Sequence, residues 1–257
     1  MKKVIAFDLD GTLAPSKSPL PDRIAMLITQ LLNKFHVCII SGGNFSQFEK
    51  QLLSNLKLDN KQYKNLHLMP TCGTKYYIFE NNKKWKKIYS EDIPASDKIR
   101  IKKALLDSLE KFGFREDKVY GELVEDRGSQ LTLSTLGQDI VEVLGSKGVM
   151  LKEQWDPDSS KKNKIRDFVA DLIPDYEVKV GGLTSIDVTR PGIDKAYGMR
   201  KLMDYLELDK DKILFIGDRL KEGGNDFPVK AMGIDSIEIS DWHQTAIAVE
   251  AIIHLAD

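Results

Sequence analysis

Short continuous apolar runs, without polar alternation, recur along the chain. Val4-Ile5-Ala6-Phe7 is the first and Val37-Cys38-Ile39-Ile40 the second. Runs of that length suit strands buried on both faces of a parallel sheet. Between them Ile24, Leu27, Ile28, Leu31 and Leu32 recur at helical spacing within residues 22–35. A further helix is expected from Phe45 to Leu56, with Phe48, Leu52 and Leu53 on one face. Strand, helix, strand, helix in this order calls for a right-handed parallel α/β sheet. The middle of the chain reads differently. Tyr76 to Phe79 reads as a strand, and Asp97 to Phe112 as a mildly basic amphipathic helix with Ser96 as its N-cap. Leu123 to Arg127 and Leu131 to Thr135 flank Gly128-Ser129 as a hairpin would. Trp155-Asp156-Pro157-Asp158 reads as a turn before a helix over Lys161 to Leu172, capped by Ser159 or Ser160. Extended segments follow at Tyr176 to Val180 and Thr184 to Thr189. The parallel pattern then resumes with a helix near Lys195 to Leu206, the strand Ile213 to Ile216, a short strand near Ile237 and a helix from Trp242. The expected fold class is therefore α/β: a Rossmann-like parallel sheet core with helices on both faces, formed by residues 1–84 and 188–257. An α+β cap domain is expected to be inserted at residues 85–187.

Composition narrows the class of protein. At 257 residues, 42% apolar and 30% charged, the chain buries a proper core without disulfide or metal staples. Lys and Arg number 38 against 39 Asp and Glu, a balance that gives no support to a general nucleic-acid binder. No apolar stretch approaches the roughly 18 residues a membrane span needs. Asp8 and Asp10 interrupt the one N-terminal run that resembles a signal segment. Cys38 and Cys72 form no CxxC pattern, which suits reduced thiols and a cytoplasmic location. His36, His67, His243 and His254 are scattered without metal-ligand spacing and read as structural or surface residues. Lys83-Lys84-Trp85-Lys86-Lys87 reads as a solvated strand edge that discourages pairing.

The candidate chemistry begins at Asp8-Leu9-Asp10-Gly11-Thr12-Leu13, directly after the first buried strand. Open parallel sheets bind ligands at the carboxyl ends of their strands, so these carboxylates belong to the expected crevice. Two carboxylates two residues apart can divide labour. One attacks phosphorus to form an aspartyl-phosphate, while the other handles the leaving-group proton. Alone, the segment would serve equally well as a solvated turn. Three further features tip the balance. Ser41-Gly42-Gly43 ends the second strand, where a hydroxyl and the amide of Gly42 can grip a phosphate. Gly217-Asp218 ends the strand ILFI and is followed by Gly223-Gly224-Asn225-Asp226; an Asp there completes an oxygen-ligand set for Mg²⁺. Lys195 can neutralise both the phosphate and an Asp8 nucleophile.

With these residues in place the chain resembles the haloacid dehalogenase superfamily of phosphotransferases, in the subclass (IIB) whose cap lies between the second and third motifs. Its nearest likeness is to the eukaryotic-type phosphomannomutases. VCIISGGNFSQFEKQL, GGLTSIDVTRPGIDK and FIGDRLKEGGND carry the likeness in the core, VEDRGSQLTLSTLGQ and KIRDFVADL in the cap. The resemblance implies Asp8 as nucleophile and Asp10 as acid/base, with Thr12, Ser41 and Lys195 on the transferring phosphate. It implies Mg²⁺ held by Asp8, the Asp10 carbonyl and Asp218, with Asn225 and Asp226 in support. In the cap it implies substrate contacts from Arg127, Ser185 and Asp187. The chain departs from that pattern at Gln138 and Lys17, which stand where arginines are expected. Arg and Lys are not interchangeable for bidentate phosphate binding, and Gln carries no charge. Lys152 and Lys179 are the cap lysines that would compensate. A mutase must hold a second phosphate in its cap. The expected function is therefore a Mg²⁺-dependent, aspartyl-phosphate-forming phosphatase of a sugar phosphate. The alternatives are a phosphomannomutase interconverting hexose 6- and 1-phosphates and, behind it, a non-catalytic sugar-phosphate-binding protein. The expected partner is a small phosphorylated sugar, with no nucleic acid and no membrane, and room is left for a homodimer through the cap.

Overall fold

In the computed structural model, which describes residues 1–80 and 84–256, the chain forms two compact units. Its strands run β1 (Val4–Phe7), β2 (His36–Ile40), β3 (Leu66–Met69), β4 (Lys75–Phe79), β5 (Trp85–Ser90), β6 (Val124–Asp126), β7 (Gln130–Ser134), β8 (Glu177–Val180), β9 (Ser185–Thr189), β10 (Ile213–Gly217) and β11 (Asp235–Glu238). Its helices run α1 (Asp22–Leu31), α2 (Phe45–Gln51), α3 (Asn60–Lys64), α4 (Ala95–Phe112), α5 (Ile140–Leu144), α6 (Ser146–Trp155), α7 (Ser160–Leu172), α8 (Lys195–Leu206), α9 (Phe227–Ala231) and α10 (Trp242–Leu255).

The first unit comprises Met1–Ser90 and Ile193–Asp257 and holds a seven-stranded sheet in the order β11-β10-β1-β2-β3-β4-β5. The pairs from β11 to β3 are parallel, while β4 and β5 close one edge as an antiparallel hairpin. The continuous apolar runs are explained by this arrangement. Ile5 and Phe7 of β1 pack into a core with α1 and α10, while Val4 and Ala6 pack into another with Met199 and Leu202 of α8 and Val229 of α9. Alternate residues of one strand therefore feed two cores, one on each face. The chain builds outward from β1 through β2 and β3, then returns to build β10 and β11 on the other side. That reversal puts a crevice at the carboxyl ends of β1 and β10, where such sheets bind ligands.

The second unit, Glu91–Gly192, holds an antiparallel sheet in the order β6-β7-β9-β8. Ile101, Leu105 and Leu109 of α4 and Ile165 and Val169 of α7 form its core with Leu131, Leu133, Ile186 and Val188. The unit starts after Ser90 rather than after residue 84, because Trp85–Ser90 pairs with β4 as a strand of the first sheet. It ends after Gly192 rather than after residue 187, because β9 runs on to Thr189. Of the lysine-rich run, Lys86 and Lys87 lie on the edge strand β5, and Lys83 lies outside the described residues.

Several local expectations change. Ser96 lies inside α4, whose N-cap is Pro94. Ser159 occupies the N-cap position of α7, but its side chain makes no capping bond; the Asp156 carboxylate takes that role, accepting the amides of Lys161 and Lys162 at 3.0 and 2.9 Å. The helix expected to reach Leu56 ends at Gln51 and tightens into a 3₁₀ turn at Leu53–Asn55. Among the described residues no helix is long and apolar enough to cross a membrane.

Candidate active site

Asp8 is the first residue after β1, and its amide still bonds Ile216 of β10 at 3.1 Å. The carboxylate is 4% exposed and faces Lys195, the first residue of α8, with Nζ–Oδ1 at 2.5 Å. The same Nζ reaches Asp226 Oδ1 at 2.5 Å. An ammonium at a helix N-terminus works against the helix dipole. Two buried carboxylates hold it there, and Asp194 caps the helix by accepting the Tyr197 amide at 2.8 Å. Asp226 spends its other oxygen on the Arg219 amide at 3.1 Å. Gly217 makes room for it, since a Cβ there would lie 2.5 Å from Asp226 Oδ2.

Asp218 follows β10 and is half-buried, and its Oδ1 is buried with no hydrogen-bond partner among the described residues. Gly11, at φ +88°, lets the turn after β1 approach it; a Cβ there would meet Asp218 Oδ2 at 2.6 Å. Oxygens of Asp8, Asp218 and Asp226 all lie within 4.8 Å of one another. Burial, opposed by Lys195 and reinforced by Asp226 and Asp218, raises the Asp8 carboxyl to about 7. Burial and then Asp226 raise Asp218 above the ordinary carboxylate range. For Lys195 burial opposes the charge, but Asp8 and Asp226 outweigh it and keep the ammonium protonated. One buried cation thus faces three carboxylates, one of which has an orphaned oxygen. An all-oxygen donor set with excess negative charge fits a hard divalent cation such as Mg²⁺.

The flanking turns complete the crevice. Thr12 is fully buried; its hydroxyl lies 3.5 Å from Asp8 Oδ2, a weak contact, and its carbonyl accepts Thr245 Oγ1 of α10 at 2.6 Å. Ser41 follows β2 and is 3% exposed, with its hydroxyl accepting the Gly43 amide at 3.2 Å. Thr71, Cys72 and Gly73 prop this loop from beneath. All three have positive φ (51°, 55° and 82°), and the amides of Thr71 and Cys72 donate to the carbonyls of Gly43 and Ser41 at 2.9 Å. Gly73 also abuts α8, since a Cβ on it would lie 2.4 Å from the Gly198 Cα. One left-handed turn therefore supports both the Ser41 loop and the helix that carries Lys195.

Asp8, Thr12, Lys195, Asp218 and Asp226 are thus brought together, with Ser41 and Gly42 ending the adjoining strand. Asn225 stands exposed beside Asp226. The Asp10 side chain is held by α2 and by the loop at Lys17. Its Oδ2 accepts Gln47 Nε2 at 2.8 Å, and its Oδ1 accepts the Lys17 amide at 2.7 Å and Gln51 Nε2 at 3.2 Å. Gln47 and Gln51 were not expected at the site. Their signal in the sequence is two amides at i and i+4 on a helix face shared with Phe48 and Leu52.

The candidate cap residues lie in the second unit. Arg127 is paired with Glu125 through Nε at 2.9 Å and Nη2 at 2.8 Å. Gln138 donates to the Thr132 carbonyl at 3.0 Å. Asp187 accepts Thr132 Oγ1 at 2.7 Å and Gln130 Nε2 at 2.9 Å, and Ser185 begins the same strand. Lys179 pairs with Glu177 at 3.0 Å, and Lys152 lies in the last turn of α6.

A cavity of about 590 Å³ opens elsewhere in the first unit, lined in part by His36, His67 and Tyr205. It lies at the start of β2, whereas Asp8 follows the end of β1. Its histidines are not scattered in space. His36 Nδ1 meets His67 Nε2 at 2.9 Å, and His67 Nδ1 meets the Tyr76 hydroxyl at 2.6 Å, a chain that satisfies its own buried polar atoms.

The chain has counterparts among known proteins. A profile of the haloacid dehalogenase-like hydrolases matches residues 5–227. The chain is 27% identical to phosphomannomutase 1 of Homo sapiens over 239 residues, 88% of this chain and 82% of that one. It is 25% identical to IMP-specific 5'-nucleotidase 1 of Plasmodium falciparum over 284 residues, 98% of this chain and 60% of that one. A C-terminally truncated structure of P. falciparum IMP-nucleotidase superposes with a TM-score of 0.69 at 20% identity, over 99% of this chain and 72% of that one. At that identity the likeness is one of fold.

Proposed function

Because the chain belongs to the haloacid dehalogenase-like hydrolases, a superfamily of hydrolases and phosphotransferases, we propose that it removes the phosphoryl group of a sugar phosphate as a Mg²⁺-dependent phosphatase. The observation that carries this reading is the buried Asp8–Lys195–Asp226 chain beside the orphaned Asp218 oxygen. Such a constellation holds a carboxylate against its own burial at the point where sheets of this order bind ligands.

In this reading an Asp8 oxygen attacks phosphorus, the bond to the ester oxygen breaks, and that oxygen takes a proton from the Asp10 carboxyl. Water then attacks the aspartyl-phosphate and gives its proton to Asp10; inorganic phosphate leaves and Asp8 is restored. Lys195 offsets the repulsion between Asp8 and the incoming phosphate, while Thr12, Ser41 and the Gly42 amide take its oxygens. Asp8, Asp218 and the Asp10 carbonyl would hold Mg²⁺, with Asn225 and Asp226 in support; when bound, the cation supplies Lewis-acid neutralisation of phosphate charge. A non-catalytic binding protein would have no use for a charged nucleophile kept buried at such a cost.

Phosphomannomutase is the second reading, favoured by the 27% identity across most of the chain. Against it stand the cap residues that a second phosphate would require. Arg127 is already neutralised by Glu125, and Gln138 is uncharged and committed to a backbone carbonyl. The test is a panel of hexose monophosphates, a nucleoside monophosphate and an aryl phosphate, assayed with Mg²⁺ for released phosphate and for isomerised sugar. Phosphate release should exceed isomerisation even with a hexose bisphosphate activator present. Faster isomerisation establishes the mutase instead, and a preference for the nucleotide moves the substrate class.

A further inference from the structure

Two glutamines of α2 converge on Asp10. Gln47 Nε2 donates to Asp10 Oδ2 at 2.8 Å, and Gln51 Nε2 donates to Asp10 Oδ1 at 3.2 Å and to the Ser18 carbonyl at 2.8 Å. Gln47 Nε2 also donates to Gln51 Oε1 at 2.6 Å, so the pair acts as one bracket. Spaced i and i+4, they share a helix face, and Gln51 is only 4% exposed. An amide buried to that degree costs stability unless its polar atoms are bonded, and here the donors are spent on one carboxylate and the loop beside it. The placement of Gln47 depends on Gly43: a Cβ there would lie 2.1 Å from Gln47 Oε1, so only a glycine lets this side chain lie across the loop after β2. Asn44 fixes the start of the helix by accepting the Gln47 amide at 2.9 Å.

We propose that Gln47, seated over Gly43 and braced by Gln51, is a positioning residue for Asp10, fixing the direction of the carboxyl that serves the leaving group. The inference rests on the acid/base reading of Asp10. A loop carboxylate with no partners samples several rotamers, whereas donors on both oxygens leave it one. The bracket touches neither Asp8 nor Lys195; besides Asp10 it meets the Ser18 carbonyl and the loop at Gly43, and a loss shared equally by both substrates would mark an effect through that loop.

The leaving group provides the test. An alkyl oxygen of a sugar phosphate needs a proton as the bond to phosphorus breaks, whereas an activated aryl oxide departs without one. Gln47→Leu should lower kcat/KM, which reports the steps through departure of the leaving group, about ten-fold or more on a hexose phosphate and much less on an aryl phosphate; kcat also contains hydrolysis of the aspartyl-phosphate, which is common to both substrates. Gln47→Glu keeps the length and loses the donors; it should show the same split, and it covers the case in which the leucine variant fails to fold. Combined with Asp10→Asn, either substitution should add nothing further to the loss. Equal losses on both substrates, or an additive double variant, would reduce the bracket to a structural tie and overturn the proposal while leaving the phosphatase reading intact. If Asp10→Asn itself shows no dependence on the leaving group, the acid/base reading falls and this inference falls with it.

Discussion

Asp8 holds a charge that its surroundings oppose, because it is 4% exposed and shares its pocket with Asp218 and Asp226. Its folded pKa is raised from 3.8 to about 7, so across that window the folded state binds the proton more tightly than the unfolded chain does. Stability contributed by the protonated form is therefore present below about pH 4 and lost as pH rises through 7. Asp8→Asn removes that dependence. In chelated protein it should melt no lower than wild type at pH 8, by a margin of about 1 kcal/mol or more, and the margin should shrink towards pH 4. Calorimetry across that range decides it; a variant clearly less stable at pH 8 contradicts the argument. Turnover by the same variant should fall by about a thousand-fold or more, since the proposed nucleophile is gone. Mg²⁺ should raise the Tm of the wild type, and Asp218→Ala should abolish that rise, which a titration by thermal melting would show. At this scale the sequence made Asp8, Asp218 and Lys195 legible because each ends a strand or opens a helix in a parallel pattern. Gln47 and Gln51 were not legible. An amide has no chemistry of its own to announce, and its role depends on the carboxylate it meets 37 or 41 residues away.

Among the elements, the left-handed turn Thr71-Cys72-Gly73 serves two others, since it props the Ser41 loop and abuts α8. Gly73→Ala adds a methyl against the Gly198 backbone at positive φ. It should cost about 1–3 kcal/mol in chemical denaturation and lower kcat by displacing Lys195. Wild-type stability and rate would show that α8 is placed independently of this turn. Strands β2 and β3 carry a second device. Burial, then neighbouring His36, pushes His67 down to about 3. The unfolded chain takes up that proton near 6.5, so the stabilising contribution is whole above 6.5 and is lost as pH falls towards 3. His67→Phe should weaken the fold at pH 7, because Tyr76 loses its partner, yet show a shallower loss between pH 6.5 and 4 in urea titrations. An unchanged slope would place the acid sensitivity elsewhere. The continuous apolar strands β1, β2 and β10 were readable from periodicity. Strand β3 was not, because His67 interrupts it and is tolerated only through its hydrogen bonds. Strand β5 was legible only as a lysine-rich strand edge, and its course to Ser90 was not.

For the whole molecule, the inserted segment was legible as a change from parallel to hairpin patterning, while its limits depended on long-range pairing that no local pattern reports. If the second unit selects substrate, Arg127→Ala should raise KM for a hexose phosphate about five- to ten-fold, and far less for an aryl phosphate. Equal changes for the two substrates would remove Arg127 from recognition. The insertion also sets an order of events during synthesis. Strand β1 is made well before β10: β2 follows it within 33 residues, but its other neighbour, β10, begins only at Ile213. The ion pair that ties Asp8 to Lys195 closes a loop of 187 residues. Until that late segment emerges from the ribosome, four fully apolar residues and one row of backbone amides and carbonyls lie open along β1. The strand that ends at the candidate nucleophile is thus a sticky edge of the nascent chain, and shielding it falls to whatever binds the polypeptide before β10 has been translated.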